Sequence, residues 1–308
     1  MPKKEYVISE NEEGMRLDRW VRLNYPSLTQ AHLQKMIRQK DILVNNQKQP
    51  TSYHLELTDK ISIWVPTGEK QIKEKKSIQG EFLKDLVLYK DKDVCVINKP
   101  AGLAVQGGSK LSCSLDQMLE SLRFGSSELP RLVHRLDKET SGVCVLARTR
   151  KAAQRLTKAF KERNIHKIYW AVCKGVPPSK KGTISLALSK KKIGGVEKMV
   201  PDKQGAPAET EYQVLEKTSG ISLLEVRPLT GRTHQIRVHC AASGFPLLGD
   251  RKYGDKKDKN FLYLHAKSIQ IPDEDGVLFQ VEAPLPEAWK ATLEKQGFKI
   301  EGKNGFTS

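Results

Sequence analysis

Cysteine is scarce in this sequence, and the spacing of its cysteines is informative. The chain of 308 residues carries five, and none of them forms a C-x-x-C pair. Disulfide frameworks and structural zinc sites both need cysteines at close, recurring spacings. Cys95 and Cys144 lie inside apolar runs, where a thiol serves as a small core side chain. The sequence therefore predicts no disulfide and no metal site, a pattern typical of a reducing compartment.

Long apolar runs are also absent. No window approaches the roughly 18 consecutive apolar residues that a membrane-spanning helix needs. Residues 1–6 (MPKKEY) contain no apolar signal core, and Glu10, Glu12 and Glu13 follow soon after. Early acidic residues disfavour a transit peptide, which is poor in acids. We therefore expect a cytoplasmic protein without a membrane partner.

Acidic residues are too few to balance the basic ones. Lys and Arg number 53 against 36 Asp and Glu, so the formal net charge is +17. The surplus is spread along the chain and is not gathered in a tail. A mixed surface with basic regions favours a long polyanion, RNA or DNA, as the partner.

Residues 14–66 have the pattern of a small α/β unit. Apolar residues recur twice at helical spacing, which predicts two helices whose inner faces are Leu17, Trp20 and Val21, and Leu33, Met36 and Ile37. Two short strands should follow. The predicted helices turn cations outward, and four of these are candidate RNA contacts: Arg16, Arg19, Lys35 and Arg38.

This unit resembles an S4 RNA-binding domain, in which two short helices precede segments like DILVNNQ (41–47) and LTDKISIWVP (57–66). The resemblance implies that the basic helical pair grips structured RNA through its backbone. The alternative is an ordinary solvated helix face. Residues 1–13 are then an N-terminal extension, and the charged segment 67–80, which lacks apolar periodicity, is a linker.

Residues 81–298 form a second, larger domain. We expect seven strands, near 86–89, 94–97, 142–147, 167–173, 208–215, 222–228 and 279–282. We expect four helices, near 114–122, 151–162, 234–243 and 286–296. Strands outnumber helices and most connections are short, which favours a mainly antiparallel sheet over repeated βαβ units. The predicted fold class is therefore α+β, with a polar tail at 299–308.

One carboxylate stands out in the large domain. Asp137 lies in HRLDKETSG (134–142), among His134, Arg135 and Lys138 and just before an apolar run. A carboxylate ringed by cations at the mouth of a buried strand is expected to stay ionised. Such a group can act as nucleophile, general base or electrostatic clamp, and the plain alternative is a surface ion pair in a turn.

Two further segments carry candidate site residues. Tyr169 lies in the strand pattern KIYWAV (167–172), where its ring could stack on a flat base or simply be half-buried. Arg237 lies in PLTGRTHQIRVH (228–239), where a turn precedes a predicted helix. Helix N-termini and arginines both favour anions.

Together, HRLDKETSGVCVLART, KIYWAV, PLTGRTHQIRVH and LHA resemble the motifs of the RluA family of RNA pseudouridine synthases. NKPAGLAVQGG and LLGDRKYGD resemble it as well, and the matches run in order from residue 81 to about 295. The S4-like unit in front narrows the resemblance to the ribosomal-RNA branch. The resemblance implies a mixed-sheet synthase domain that isomerises specific uridines of large-subunit ribosomal RNA.

Such an isomerisation breaks the N1–C1′ bond, turns the base and joins C5 to C1′, with no net redox change and no cofactor. The resemblance implies that Asp137 is the nucleophile, attacking C1′ or C6. Tyr169 would stack on the target base and help to remove the C5 proton. Arg237 would pair with Asp137, favouring its ionised form.

The resemblance also implies RNA-binding roles. Arg135 would fill the space vacated by the flipped nucleotide, and Leu264 of LHA would pack against the target base or against Tyr169. Arg232 and His134 are further candidate contacts. The basic segment 189–203 could be a loop that closes on RNA or an ordinary solvated hairpin.

Alternatives remain at this stage. The chain could be a non-catalytic RNA-binding assembly factor, or a synthase acting on tRNA. A glycoside hydrolase is a third option, although that chemistry typically needs a second carboxylate. We expect a monomer with ribosomal RNA as its partner, because one chain supplies all of these residues.

Overall fold

A computed structural model describes residues 3–9, 12–25, 28–64, 78–107, 113–218 and 220–299. The chain divides into two compact units, Met1–Asp85 with Gln106–Pro130, and Leu86–Val105 with Arg131–Ser308. Most of the expected linker, residues 67–77, and most of the expected polar tail, residues 300–308, lie outside the described residues. No helix in the described ranges is long and apolar enough to cross a membrane.

The first unit combines two helices with a three-stranded antiparallel sheet in the order β1-β3-β2. Its elements are β1 (Lys3–Val7), α1 (Leu17–Asn24), α2 (Gln30–Arg38), β2 (Ile42–Val44) and β3 (Lys60–Trp64). All six apolar residues expected on the inner helix faces are buried in one cluster, which confirms that prediction. The strand β1 lies within the expected extension 1–13. It is a short edge strand rich in charge, a pattern that hides its pairing from a search for apolar alternation.

The first unit also contains short 3₁₀ segments, Leu115–Gln117 and Leu119–Leu122, where we expected one helix over 114–122. The Ser121 hydroxyl donates to the Met118 carbonyl at 2.8 Å. Serine bonding to nearby carbonyls competes with the α-helical pattern, which accounts for the tighter turns. A longer 3₁₀ segment, Ile78–Leu86, leads into the second unit.

The second unit is built on a ten-stranded sheet. Its strands and those of a separate hairpin (β10 and β11) are β4 (Val87–Lys90), β5 (Val94–Lys99), β6 (Arg131–Leu132), β7 (Ser141–Ala147), β8 (His166–Lys174), β9 (Lys181–Ser185), β10 (Leu188–Ile193), β11 (Val196–Pro201), β12 (Glu209–Thr218), β13 (Ile221–Pro228), β14 (Leu264–Pro272) and β15 (Leu278–Glu282). Its helices are α3 (Arg150–Glu162), α4 (Gln235–Ala242) and α5 (Glu287–Lys295).

The main path of the sheet is β4-β5-β7-β14-β8-β13-β12-β9, with β15 beside β14 and β6 beside β7. Every described pairing is antiparallel except β7 with β14, so the expected mixed, mainly antiparallel α+β fold is confirmed. All seven expected strands are present. The strand β14 was not predicted. Its pairing with β8 shifts register between Ala266 and Ser268, which interrupts the alternation of apolar and polar residues.

Three apolar clusters fix the helices on the sheet. Leu156 of α3 packs with strand residues of β5, β7, β14 and β15. Ile236 of α4 packs over β8, β12 and β13, and Trp289 of α5 packs near Trp170. A buried side chain of this size contributes about 1.5–3 kcal/mol. The helices therefore set the rigid frame from which the site residues project.

The parallel pairing of β7 with β14 depends on Gly142. This glycine has φ +105°, and a Cβ atom there would collide with the backbone of Ala266. Only glycine tolerates both the conformation and the close approach. The result places Leu264, the first residue of β14, beside the turn that leads into β7.

Candidate active site

The turn that carries Asp137 joins β6 to β7 and is held by its backbone. The Thr140 amide donates to the Asp137 carbonyl at 3.1 Å, and the Gly102 amide donates to the Lys138 carbonyl at 2.9 Å. The fully buried Lys99 donates to the Lys138 carbonyl at 3.2 Å and to two carbonyls of its own loop. Burial lowers the pKa of Lys99 to about 8. The NKPAG segment thus braces the Asp137 turn.

A cavity of about 780 Å³ opens beside this turn. Its lining includes every large-domain residue that the sequence put forward: His134, Arg135, Asp137, Tyr169, Arg232, Arg237 and Leu264. They come from the β6–β7 turn, β8, the β13–α4 loop, the first turn of α4 and the first residue of β14. Segments more than a hundred residues apart in sequence therefore meet at one site.

Asp137 is left open to this cavity. Its side chain is 20% exposed, and its Oδ2 lies 3.9 Å from Nε2 of His234. Within the part of the chain that the structure describes, no group donates a hydrogen bond to its carboxylate. A carboxylate with free lone pairs in a cavity can attack a substrate or accept hydrogen bonds from one.

Arg237 does not pair with Asp137 as the resemblance implied. Its Nε and Nη2 donate to the two oxygens of Asp250 at 2.8 and 2.7 Å. Asp250 is 1% exposed, and a buried carboxylate needs a hydrogen-bonded cation. Burial opposes the charge, but the bonds to Asp250 raise the pKa of Arg237, so the guanidinium stays protonated. Nε and Nη2 of Arg237 are thus bound to Asp250, and among the described residues no hydrogen bond or ion pair joins Arg237 to Asp137.

Tyr169 and Leu264 belong to the apolar part of the cavity lining. Tyr169 lies in β8, in register with Ala266 of β14 and Val226 of β13. Burial, and then the charge of Asp137, raise the pKa of the Tyr169 phenol. Leu264 is 3% exposed. The ring of a protonated phenol offers a flat surface to an aromatic ligand, and the aliphatic side chain offers an apolar one.

His134 is occupied by the fold. Its Nε2 accepts a hydrogen bond from the Val145 amide at 2.8 Å, and its ring stacks on Phe160 with centroids 4.6 Å apart. Burial lowers the pKa of His134 to about 3, with Lys167 acting in the same direction. This histidine lines the cavity as a neutral structural ring, and its one acceptor nitrogen is already used.

Arg135 and Arg232 are both exposed at the cavity. Arg232 donates from Nε to the Pro207 carbonyl at 3.1 Å, so part of its guanidinium is anchored to the protein. Their exposed charges favour an anionic ligand at the mouth of the cavity.

Comparison with known proteins identifies this arrangement. Residues 93–242 match the family described as RNA pseudouridylate synthase. The chain is 38% identical over 300 residues to the ribosomal large subunit pseudouridine synthase C of Rickettsia bellii, covering 91% of this chain and 98% of that protein. The chain belongs to the RluA family of RNA pseudouridine synthases.

Other relatives agree. The protein of the same name from Escherichia coli is 32% identical over 306 residues, covering 94% of this chain and 95% of that protein. Among solved structures, human RNA pseudouridylate synthase domain containing 4 superposes with a TM-score of 0.62 at 29% identity, covering 72% of this chain and 97% of that one. The chain is therefore an isomerase that forms pseudouridine in RNA.

Sequence reasoning missed part of the synthase site. It assigned no role to Asp250 or Tyr253, although both lie in LLGDRKYGD, a segment it had noted. It also missed three cations that line the cavity from the end of α3 and the start of β8: Lys161, Arg163 and Lys167. The one available signal for Asp250 was its place in a motif that combines a glycine turn with a charged pair.

The candidate RNA contacts of the first unit differ in their exposure. Arg16 makes a two-point contact with Asp18, at 3.1 and 2.8 Å, and Arg19 is half-buried. Lys35 and Arg38 are exposed on the last turn of α2. The last two are the freer cations for a phosphate backbone. In the described parts of the synthase, no group of three or more His, Cys, Asp or Glu side chains is arranged to hold a metal ion.

Proposed function

We propose that this synthase isomerises specific uridines of large-subunit ribosomal RNA, with Asp137 as the nucleophile. The observation that carries the proposal is the carboxylate of Asp137, which faces a cavity beside Tyr169 without a hydrogen-bond donor among the described residues. A cavity of about 780 Å³ is large enough for a flipped nucleotide with its flanking phosphates.

The apolar wall supports base capture. Extruding a nucleotide from its helix costs a few kcal/mol. Stacking of a base on an aromatic side chain contributes about 1–3 kcal/mol. Tyr169 would supply that stacking and Leu264 would add apolar contact beside it, and the exposed Arg135 would occupy the space vacated in the RNA. These contacts offset the cost of flipping.

The polar wall supports a division of roles. Asp137 would attack C1′ or C6, and its free lone pairs leave it able to do so. Arg237 donates its hydrogen bonds to Asp250 and not to Asp137, although the charges of Arg237 and Asp137 still interact. We therefore assign Arg237 to shaping this wall. Tyr169, whose phenol stays protonated at neutral pH, would serve the C5 proton transfer only after substrate contact lowers its pKa.

Three observations favour ribosomal RNA. The relatives named above carry large-subunit synthase names, and the alignments span both units of the chain. The net charge of +17 provides affinity for a long polyanion. The first unit presents Lys35 and Arg38, as an S4-like domain gripping RNA would. We propose a cytoplasmic monomer, because one chain lines the whole cavity.

Pseudouridine mapping tests the substrate. Ribosomal RNA and tRNA from cells lacking the protein would be mapped by carbodiimide chemistry. We expect pseudouridine to disappear at defined large-subunit sites and to return with the wild-type gene but not with Asp137→Asn. An unchanged ribosomal map would contradict the proposal, and a loss confined to tRNA would redirect it to that substrate.

The salt dependence of binding tests the first unit. We expect Lys35→Ala with Arg38→Ala to weaken ribosomal RNA binding and to reduce the slope of log K against log salt by about 1–2, since each lost phosphate contact removes roughly 0.7–0.9. The matched control is Lys92→Ala with Lys290→Ala, which removes two cations of the second unit that are ion-paired with glutamates. Equal slopes for the two double variants would contradict an RNA-gripping role for α2.

A further inference from the structure

A line of polar contacts leads from the β10–β11 hairpin to Asp137. The Met199 amide of β11 donates to the Tyr253 hydroxyl at 3.2 Å. The same hydroxyl lies 2.6 Å from Nδ1 of His234, whose Nε2 faces Oδ2 of Asp137 at 3.9 Å. The His234 and Tyr253 rings meet edge to face, with centroids 5.4 Å apart.

The arrangement of protons along this line follows from the chemistry of each group. A phenol has one hydrogen to donate, and the Tyr253 oxygen already accepts from Met199. Giving that hydrogen to Nδ1 of His234 satisfies both groups. A neutral imidazole carries its proton on one nitrogen only. If Nδ1 accepts, the proton of His234 must be on Nε2, the nitrogen that faces Asp137.

The surroundings keep His234 neutral. Burial lowers its pKa, and Arg237 and Lys252 act in the same direction, while Asp137 and Asp250 oppose them. A neutral ring is the form in which the Tyr253 hydroxyl decides the tautomer.

The support for Tyr253 is rigid. Asp250 accepts from the Lys252 and Tyr253 amides, both at 3.0 Å. The Arg237 guanidinium, itself bound to Asp250, lies over the Tyr253 ring at 5.2 Å. His234 adopts φ +54°, a conformation that non-glycine residues keep only where their surroundings impose it.

We propose that His234 is a positioning residue for Asp137, held by Tyr253 as the tautomer that presents Nε2–H to the carboxylate. In this structure Nε2 lies 3.9 Å from Oδ2, beyond hydrogen-bond distance, so Asp137 keeps its lone pairs while the Nε2–H dipole favours one orientation of the carboxylate. His234 transfers no proton in this role. The inference rests on the proposed function of Asp137, and Tyr253 acts only through His234.

The tautomer can be measured directly. Long-range proton–nitrogen NMR of protein with ¹⁵N-labelled histidine distinguishes a protonated ring nitrogen from a bare one, and the His234 signals are assigned by their loss in His234→Gln. We expect a protonated Nε2 and a bare, hydrogen-bonded Nδ1 in the wild-type protein at neutral pH. A protonated Nδ1 would overturn the proposal, and this readout needs no activity and no variant at Tyr253.

Substitutions at His234 separate a positioning role from a purely structural one. The amide nitrogen of glutamine reaches where Nε2 stands, whereas that of asparagine reaches only where Nδ1 stands. Asparagine, however, tolerates a positive φ better. We expect His234→Gln to keep more turnover than His234→Asn, with KM alike in both. Greater activity in the asparagine variant would mean that the backbone conformation matters and the donor does not.

Tyr253→Phe tests the link to the hydroxyl. We expect kcat to fall by up to about 100-fold with KM nearly unchanged, the size of effect that misplacement of a reacting group causes. The matched control is Tyr89→Phe, which removes a hydroxyl bonded to Asp91 outside the cavity lining. Equal kcat values in both variants would overturn the proposal. Full activity of Asp137→Asn would instead overturn the proposed function while leaving the tautomer result intact.

Discussion

Two carboxylates stand on either side of the His234–Tyr253 pair, and the fold treats them in opposite ways. Asp250 is 1% exposed and accepts four hydrogen bonds, two from Arg237 and two from backbone amides. Asp137 is 20% exposed on its side chain and accepts none from the described residues. The protein therefore hydrogen-bonds both oxygens of Asp250, whereas the oxygens of Asp137 remain available to a substrate.

The difference separates stability from reactivity. A buried carboxylate that loses its cation is costly, so Asp250 is tied to the fold. Asp137 contributes little to packing, and its lone pairs remain available. Burial opposes ionisation of Asp250, but the bonds from Arg237 hold its pKa below the usual range. A reactive carboxylate cannot be bound so tightly, because the same bonds would reduce its nucleophilicity.

Asp137→Asn should produce the largest effect on activity. We expect turnover to fall to background, because an amide is a poor nucleophile. Unfolding free energy should change by no more than about 0.5 kcal/mol, as for substitutions that break no buried contact. Product formation on a ribosomal RNA fragment and urea denaturation measure the two quantities.

Glu139→Gln is the matched control for Asp137→Asn. It neutralises an exposed carboxylate two residues away in the same turn and should leave turnover unchanged. Residual activity of Asp137→Asn near the wild-type rate would break the comparison, because the open carboxylate would then not be the reacting group.

Asp250→Asn should mainly reduce stability, whereas Asp137→Asn should mainly reduce activity. Removing one partner of a buried pair leaves Arg237 uncompensated, and we expect a loss of about 3 kcal/mol of unfolding free energy. Urea denaturation of Asp250→Asn, of Arg237→Met and of the double variant gives the coupling free energy between the two side chains. If the losses of unfolding free energy in the two single variants simply add up in the double variant, Arg237 and Asp250 do not stabilise the fold as a pair.

The sequence also revealed Asp137 far more clearly than Asp250. Asp137 lies in a compact motif, and its setting among cations before an apolar run made it a candidate from local pattern alone. The partner of Arg237 could not be found that way, because it lies 13 positions further along the chain and the intervening segment must first fold. That fold turns at Gly249, whose φ of +76° and contact with the Phe261 carbonyl exclude any side chain.

The same limit applies to the sheet. The strands β8 and β13 were predicted close to their observed bounds, whereas β14 was not predicted, since a register shift between Ala266 and Ser268 interrupts its alternation of apolar and polar residues. From the sequence, only the family resemblance placed Leu264 at the cavity. The parallel pairing of β14 with β7 gives the structural reason for its position. Patterns in sequence reveal which residues are apolar or charged, and tertiary pairing decides which of them meet.

The smallest expected effect concerns His134, a ring that the fold uses as it uses Asp250. Its pKa is lowered from 6.5 to about 3, so the native state stays neutral while the unfolded chain takes up a proton below about pH 6.5. The stability it provides is thus complete above pH 6.5 and is lost as the pH falls toward 3. Between pH 8 and pH 5 the loss should be about 2 kcal/mol.

His134→Gln isolates this contribution, because its side-chain oxygen can still accept from the Val145 amide but does not titrate. Wild type should be the more stable protein at pH 8, and its advantage should narrow by about 2 kcal/mol at pH 5. All other titrating groups are shared, so they cancel in this difference of urea-derived unfolding free energies. If the difference in unfolding free energy between wild type and His134→Gln were the same at pH 8 and pH 5, the ring would titrate alike in the native and unfolded states. His134 would then belong with Asp137 among the groups that the fold leaves open.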